Sequence, residues 1–432
     1  MKLWEKSGSD INKRIEAFTV GRDPEFDLLL AKYDVQGSMA HAKMLETVHM
    51  ISPAEAISIQ IELENMDSEI KLGHFRIEDG VEDIHSQIEL NLTRKIGEAG
   101  KKIHSGRSRN DQVAVDIKLF LRSEIQELKA QVKDLFDLLI FLAGQYRNDL
   151  LPGYTHLQIA MPSSFGLWFS AYAESLIDDL EMLVAAYHVV NKNPLGSGAG
   201  YGSSFPLNRK MTTELLGFNG LHYNVVYAQM SRGKTEKLVA FGMASIASTL
   251  SRLAMDCCLY MNQNFGFISF PDELTTGSSI MPHKKNPDVF ELIRARCNRI
   301  QSIPNELSLL LSNLPSGYHR DMQLTKEILF PAIEDLKSCI DMTMLMLSHI
   351  KIKKDILLDE KYKYLFSVEA VNELVNKGVP FREAYKSVGN QINSGKFTFD
   401  QSKQLNHTHE GSLGNLNLPE IKIEMEKVLV KY

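Results

Sequence analysis

The run QVAVDIKLFLRSEIQELKAQVKDLFDLLIFLA, residues 112–143, contains no glycine and no proline. Its apolar residues recur at steps of four and three: Val113, Ile117, Leu121, Ile125, Leu128, Val132, Leu135, Leu139 and Leu142. This spacing predicts one long helix that packs lengthwise against neighbouring helices. At 1.5 Å per residue the helix would be roughly 48 Å long, well above the average for globular proteins. Gly144 is expected to end it.

Four further stretches repeat this periodicity, at residues 162–194, 234–264, 288–313 and 326–350. Pro304 and Pro331 are expected to start or kink the last two helices. Strand-like alternation is scarce. The sequence therefore predicts an all-α fold with a central bundle of about five long helices.

The segments that flank this bundle are shorter and are broken more often by glycine and aspartate. We therefore expect three regions: an N-terminal helical domain (1–107), the long-helix bundle domain (108–356) and a small C-terminal helical domain (357–432).

Composition narrows the class of protein. The chain has 432 residues, and 48 Lys and Arg against 54 Asp and Glu give a net charge of -6, which offers no basic surface for nucleic acid. The four cysteines and thirteen histidines show no zinc-type spacing, so no metal site is expected. The N-terminus is polar and no long uncharged apolar run stands out, which favours a cytoplasmic protein with no membrane partner.

The first polar joint between helices is HSGRSRNDQ, residues 104–112. Ser108, Arg109 and Asn110 precede the long helix directly, and donors at a helix N-terminus suit a carboxylate or a phosphate. An ordinary capped helix start is the alternative interpretation.

The second joint, PGYTHLQ at residues 152–158, places Thr155 beside His156 between two helical runs. A histidine can exchange protons near neutral pH. A histidine in a loop can equally serve only as a hydrogen-bonding residue.

The third joint, TTGSSIMPHKKNPD at residues 275–288, combines flexible glycine and serine with cations. Serine is a poor base in water, so using Ser278 as one requires donors and cations such as Lys284 nearby. A mobile polar linker is the alternative.

The fourth joint, residues 316–327, contains Tyr318, Gln323 and Lys326 as candidate binding residues. The alternative interpretation is an ordinary polar surface segment, which would have the same residue types.

One glycine-rich motif is set aside. The run GSGAGYG, residues 196–202, matches a dinucleotide fingerprint by spacing only, because no strand precedes it and no βαβ unit surrounds it.

Taken together, the motifs resemble a known family. The run GSSIMPHKKNP, residues 277–287, resembles the signature of the fumarase/aspartase superfamily. Within that superfamily the first, second and fourth joints resemble the argininosuccinate lyase family, as do EDIHSQ (82–87) and KGVPFREAYKSVG (377–389).

The resemblance implies an all-α homotetramer in which the long helices form a shared twenty-helix core and each active site is built from three subunits. It also implies reversible elimination of fumarate from argininosuccinate to give arginine, a step of arginine biosynthesis, with no cofactor. Electrostatic stabilisation of the carbanion would supply most of the rate.

The resemblance also assigns roles to residues. Ser278 would be the base on a mobile loop, Lys284 and Asn286 would stabilise the developing charge, and His156 would be its acid–base partner, held by a carboxylate such as Glu291. Whether Ser278 or His156 is the base stays open. The substrate-binding residues would be Ser108, Arg109, Asn110, Thr155, Tyr318, Gln323 and Lys326, and the supporting residues would include Asp83, His85 and Ser279.

Three positions depart from the family pattern. Ser231-Arg232-Gly233-Lys234 replaces a stretch that is usually acidic, Gly21-Arg22-Asp23 adds an arginine, and His283 stands where this family usually has glutamine. Added cations would disfavour a free α-ammonium group, so an N-acylated argininosuccinate is an alternative substrate. Adenylosuccinate, suggested by His283, is another alternative, and a catalytically silent structural protein is a third.

Overall fold

The computed structural model describes residues 13–277, 279–400, 405 and 407–432. Helices dominate this part of the chain, which confirms the predicted all-α class. Their bounds are α1 Lys13–Val20, α2 Asp23–Thr47, α3 Pro53–Lys71, α4 Ile84–Ile96, α5 Glu98–Lys101, α6 Arg109–Gln145, α7 Phe165–Val190, α8 Arg209–Leu215, α9 Val225–Met230, α10 Lys234–Met261, α11 Asp288–Ile300, α12 Ile303–Leu310, α13 Leu324–Ser348, α14 Ser367–Asn376, α15 Phe381–Asn393 and α16 Leu418–Leu429.

The strands are short and form four two-stranded sheets in the described residues. The hairpin β1 (Leu150–Thr155) and β2 (Gln158–Ser164) is the longest, and an irregularity at Pro152–Tyr154 shifts its register. The other pairs are β3 (Lys192–Asn193) with β4 (Gly220–Leu221), β5 (Ile268–Ser269) with β8 (Lys351–Ile352), and β6 (Thr276–Gly277) with β7 (Lys285–Asn286). All but the parallel β3–β4 pair are antiparallel.

The long helices α6, α7, α10, α11 and α13 pack side by side around the main hydrophobic core. The apolar seam of α6 is fully buried, from Ile117 through Leu128 to Leu139. One sequence expectation needs correction: the run 288–313 is not one helix but two, α11 and α12, with Pro304 in the first turn of α12. Pro331 lies inside α13.

Helix α2 is the main element that periodicity missed. Its 25 residues lie in the region where only short segments were expected. Asp27, Asp34, Ser38 and His41 are buried on its inward side, so polar residues occupy positions where a helix normally shows apolar ones. The apolar pattern of this helix is therefore interrupted although the helix is buried.

Helix α2 also connects two cores. Phe26 and Leu30 pack in the main core, whereas Val35 and Leu45 pack with α3 and α4 in a second core. A third, small core lies between α14 and α15, around Val388. These cores do not divide at residues 107 and 356, and the three-domain division stays a prediction.

Helix α10 is long and apolar enough to cross a membrane by length and composition alone. Half of its most apolar window is buried against the bundle, and core helices of water-soluble proteins pass the same test, so this is weak evidence for a membrane span. The side of α10 that is not buried still carries Phe241 and Met255, which are exposed.

Candidate functional site

A cavity of about 170 Å³ opens where the N-termini of α2 and α6 meet the segment before α13. Seven of the residues selected from the sequence line it: Asp83, His85, Arg109, Asn110, Tyr318, Gln323 and Lys326. They come from the first joint, the fourth joint and the segment EDIHSQ at residues 82–87, so the fold brings together three stretches that are far apart in the chain. Further charged residues also line it: Asp23, Asp27, Glu82, Arg232 and Arg320.

Lys326 is the buried cation at the α13 side of the cavity. Its Nζ lies 2.5 Å from Asp23 Oδ1 and 2.5 Å from Asp27 Oδ1. Burial alone would lower the pKa of Lys326, but the carboxylates of Asp27 and Asp23 raise it, so the side chain is an ammonium. Burial and the charge of Asp27 raise the pKa of Asp23 to about 6, against the opposing effect of Lys326.

Arg109, the first residue of α6, forms ion pairs with the segment that precedes α4. Its Nη1 lies 3.0 Å from Glu82 Oε2 and its Nε lies 3.3 Å from Asp83 Oδ2. Glu82 also faces Arg320, at 3.2 Å. Asp83 accepts a hydrogen bond from Ser86 N at 2.8 Å and so caps α4. Arg109 therefore stands in an ion pair while it lines the cavity.

Ser108 and Asp111 form a capping box at the start of α6. The amide of Asn110 donates to Ser108 Oγ at 3.3 Å, and the amide of Ser108 donates to Asp111 Oδ1 at 2.7 Å. Both interpretations of this joint therefore apply, because Ser108 caps a helix whose next residues line the cavity. Ser108 itself does not line the cavity.

The glycine-rich run 196–202 holds the other oxygen of Asp111. The amides of Gly196 and Gly198 each donate to Asp111 Oδ2 at 2.9 Å. Both glycines have positive φ, of 82° and 59°, which allows these two amides to converge on one oxygen. The run thus binds a carboxylate of the chain itself and supports the start of α6.

His85 lines the cavity and also belongs to a buried charged cluster. Its Nδ1 donates to Asp34 Oδ2 and lies 3.6 Å from Asp116 Oδ2. Burial alone would lower the pKa of His85, but the Asp34 carboxylate raises it. Burial and the Asp34 charge together raise the pKa of Asp116 well above the ordinary value.

The cluster Asp34, His85 and Asp116 is the candidate for holding a metal in the described residues, since its ligand atoms lie within 4.8 Å of one another. His85 Nδ1, however, is hydrogen-bonded directly to Asp34 Oδ2, so these two ligand atoms already engage each other. The geometry fits a hydrogen-bonded ion pair, which links α2, α4 and α6 behind the site.

Thr155 and His156 lie at the tip of the β1–β2 hairpin, away from the cavity lining. Both side chains are exposed. His156 and Leu157 have φ of 53° and 58°, so the two-residue turn has the left-handed backbone of a tight hairpin. In the single chain, the hairpin presents its histidine outward.

The third joint also lies apart from the cavity in the single chain. Ser278 lies outside the described residues. Ser279, His283 and Lys284 are exposed, whereas Asn286 in β7 is half-buried. The pair β6–β7 closes the base of the loop, where Thr276 Oγ1 donates to Asp288. Glu291 is exposed on α11.

Several residues of the cavity escaped sequence reasoning. Asp23 and Asp27 lie on the helix whose apolar pattern is interrupted, and Arg232 was noted only as part of an unusual stretch. Of the cations considered as departures, Arg22 pairs with the exposed Glu25 at 2.8 Å, and Lys234 lies over the ring of Tyr227 at 5.7 Å. Arg232 is therefore the cation of these stretches that reaches the cavity.

The arrangement suits a small ligand that carries charges of both signs. Asp23 and Asp27 stand near Lys326 and Arg232, and Asn110 and Tyr318 add neutral hydrogen-bonding groups. Such a cavity binds by matched charges rather than by apolar contact.

Comparison with known proteins finds relatives along nearly the whole chain. A family model described as "Lyase" matches residues 11–302. An argininosuccinate lyase of Bacteroides thetaiotaomicron is 59% identical over 428 residues, which are 99% of this chain and 95% of that protein. An argininosuccinate lyase of Thermotoga neapolitana is 38% identical over 387 residues, which are 90% of this chain and 97% of that one.

The fold is shared with more distant solved structures. EDDS lyase in complex with formate has a TM-score of 0.75 at 22% identity, covering 98% of this chain and 90% of its own. A fumarate lyase:delta crystallin from Brucella melitensis bound to cobalt has a TM-score of 0.73 at 15% identity, covering 94% and 91%.

The chain therefore belongs to the lyase family, the class whose model matches residues 11–302. Within that family it belongs with the argininosuccinate lyases. Nothing in the comparisons favours the adenylosuccinate or N-acylated alternatives.

Proposed function

We propose that the protein catalyses the reversible elimination of fumarate from argininosuccinate, giving arginine, as a cytoplasmic enzyme of arginine biosynthesis. One observation carries the proposal beyond family membership. Arg109, Asn110, Tyr318, Gln323 and Lys326 come from joints more than 200 residues apart and line one small charged cavity. The full-length identity to argininosuccinate lyases supports the choice of substrate.

The elimination needs a base, a held carboxylate and an acid. Ser278 or His156 removes a proton from the succinyl carbon beside a carboxylate. The electron pair of that C–H bond stays on the carbon as a carbanion and then forms the double bond of fumarate as the C–N bond breaks. The leaving guanidino nitrogen takes a proton from the acid, which is His156 when Ser278 is the base, and becomes part of the guanidinium group of arginine. Lys284 and Asn286 stabilise the negative charge that develops on the carboxylate. Ser108, Asn110 and Thr155 bind the succinyl carboxylates.

We further propose that the active enzyme is a homotetramer with each site shared among three subunits. In one chain, the hairpin tip with His156 and the loop with Lys284 are exposed and lie off the cavity, so a complete site requires other copies. Exposed apolar side chains on the bundle helices support this assembly: Phe141, Met182, Phe241, Met255, Leu292, Leu309 and Leu345.

Fumarate release tests the reaction directly. Purified protein given argininosuccinate is expected to produce fumarate, followed by its ultraviolet absorbance, and Ser278→Ala is expected to lose most of this activity. Adenylosuccinate and N-acetylated argininosuccinate are the comparison substrates. The proposal fails if folded wild-type protein releases no fumarate from argininosuccinate.

A further inference from the structure

Arg232 is a buried guanidinium that keeps one nitrogen without a partner. It lies in the turn before α10, and its side chain is 3% exposed. Nε lies 3.1 Å from Glu236 Oε1, and Nη2 donates to the carbonyl of Met322 at 3.1 Å. Nη1 is buried and has no hydrogen-bond partner among the described residues. A buried charged donor in this state is costly, and a ligand oxygen would satisfy it.

The other cations of the cavity face carboxylates that also line it. Lys326 faces Asp23 and Asp27, while Arg109 and Arg320 face Glu82. The carboxylate partner of Arg232 is different, because Glu236 lies on α10 outside the cavity lining.

Glu236 is itself fully engaged. Its Oε2 accepts from the amide of Gly233 at 2.7 Å, and its Oε1 also accepts from Thr325 Oγ1 at 3.4 Å. Glu236 thus holds the guanidinium through Nε while leaving Nη1 available. The result is a fixed cation with an unused donor, as a binding residue requires.

The neighbours of Arg232 indicate which part of the substrate it meets. The positive charge of Arg232 lowers the pKa of Asp23. The carbonyl that accepts from Arg232 belongs to Met322, which precedes Gln323 in the segment that leads to Lys326. Two carboxylates, Asp23 and Asp27, stand on this side of the cavity, where they would repel the succinyl dianion. An amino-acid head group carries an ammonium beside a carboxylate, and this side of the cavity offers carboxylates beside a guanidinium.

We propose that Arg232 is a specificity-determining residue that binds the α-carboxylate of the arginine portion of the substrate through Nη1, while Asp23 and Asp27 face its α-ammonium group. This inference rests on the proposed function, since it assigns one end of the same substrate. The inference also changes the interpretation of the stretch 231–234. The added cation Arg232 then favours a substrate with a free amino-acid head group, rather than one whose α-amino group is acylated.

The test measures equilibrium binding of three probes to the assembled enzyme by calorimetry. Arginine keeps both charges, arginine methyl ester lacks the carboxylate charge, and N-acetylarginine lacks the ammonium. Wild-type protein is expected to bind arginine more tightly than either analogue. Arg232→Gln is expected to weaken arginine binding about tenfold or more while leaving the ester nearly unchanged.

Asp23→Asn provides the complementary variant. It is expected to weaken arginine and the ester, which carry the ammonium, and to leave N-acetylarginine nearly unchanged. Equal losses for arginine and the ester in Arg232→Gln would overturn the carboxylate assignment, as would undiminished arginine binding. Tighter binding of N-acetylarginine than of arginine by the wild type would overturn the assignment of Asp23 and Asp27.

Folding is controlled separately, because Arg232→Gln leaves Glu236 without its guanidinium partner. Fumarate affinity, which Arg232 should not affect, reports whether the variant keeps an intact site. If Arg232→Gln does not fold, Arg232→Lys keeps the charge but loses the Nη1 donor, and the same loss of arginine over ester is expected. These binding readouts do not require turnover, so failure of the reaction and failure of this subsite are distinguishable.

Discussion

Lys118 is a buried lysine that the proposed reaction does not use. Its Nζ donates to the carbonyl of Val189 and to Thr235 Oγ1, both at 3.2 Å. Burial lowers the pKa of Lys118 to about 7; the Glu236 carboxylate opposes this shift and Lys192 adds to it. The folded protein therefore releases this proton near neutral pH, whereas the unfolded chain holds it until far higher pH.

This difference predicts how stability changes with pH. Between about pH 7 and pH 9 the unfolded chain binds more protons at residue 118 than the folded protein, so the free energy of unfolding of the wild type should rise with pH. Lys118→Met removes the group and should remove this part of the slope. Urea unfolding of both proteins across this range measures it. Parallel pH profiles for wild type and variant would contradict the prediction.

At the residue scale, the sequence predicted those cavity residues that lie in contiguous motifs. It did not predict the residues that come together only when distant segments fold against each other. Asn110 and Lys326 stand in recognisable runs. Asp23 lies more than 200 residues from Arg232, and no local pattern links the two. Their proximity depends on how α2 and the turn before α10 each pack against the segment 322–326, and side-chain spacing within one element does not specify this.

At the scale of elements, the start of α6 serves both stability and the site. Ser52 makes the same capping box at α3, where its Oγ accepts from the amide of Glu55 at 3.3 Å. Because α3 contributes nothing to the cavity lining, the two caps form a matched pair.

Replacing either serine by alanine should lower the free energy of unfolding by about 1 kcal/mol, because each loses one helix cap. Ser108→Ala should also lower kcat/KM for argininosuccinate, whereas Ser52→Ala should not. Chemical denaturation and steady-state kinetics of both variants make the comparison. If the Ser108→Ala protein is less stable but keeps the kcat/KM of the wild type, Ser108 only caps α6 and does not bind substrate.

The long helices were predictable as elements because their apolar seams are uninterrupted, as in α6 and α7. Helix α2 was not, because Asp34, Ser38 and His41 occupy its buried side. These polar residues are tolerated there because each has a partner far away in the chain: Asp34 pairs with His85, Ser38 accepts a hydrogen bond from Arg107, and His41 contacts the carbonyl of Ser105. Pattern reasoning at the level of one helix does not include such partners.

At the scale of the whole molecule, the exposed apolar residues of the bundle predict an effect on assembly. Phe241 lies on the uncovered side of α10. Phe241→Asp should lower the mass measured by sedimentation while the helical circular dichroism stays unchanged, because it places a charge where a neighbouring subunit would pack. Activity should fall with the mass, since the site would then lack residues from other copies.

Leu72 is the matched control, because it is also an exposed apolar residue but follows α3, away from the bundle. Leu72→Asp should keep both mass and activity. A fully active Phe241→Asp protein of monomer mass would contradict the shared site. The sequence predicted this assembly only by family resemblance, because amphipathic spacing does not distinguish a partner helix in the same chain from one in another chain.

The exposed apolar side of α10 also affects how the active assembly would form from single chains. In the proposed tetramer, a newly made chain exposes Phe241 and Met255 until other chains cover them. Correct assembly and aggregation then compete for the same exposed surface, and the rates of both rise with chain concentration. Recovery of activity after dilution from denaturant should therefore pass through an optimum concentration: below it partners meet too slowly, and above it the chains precipitate before they assemble.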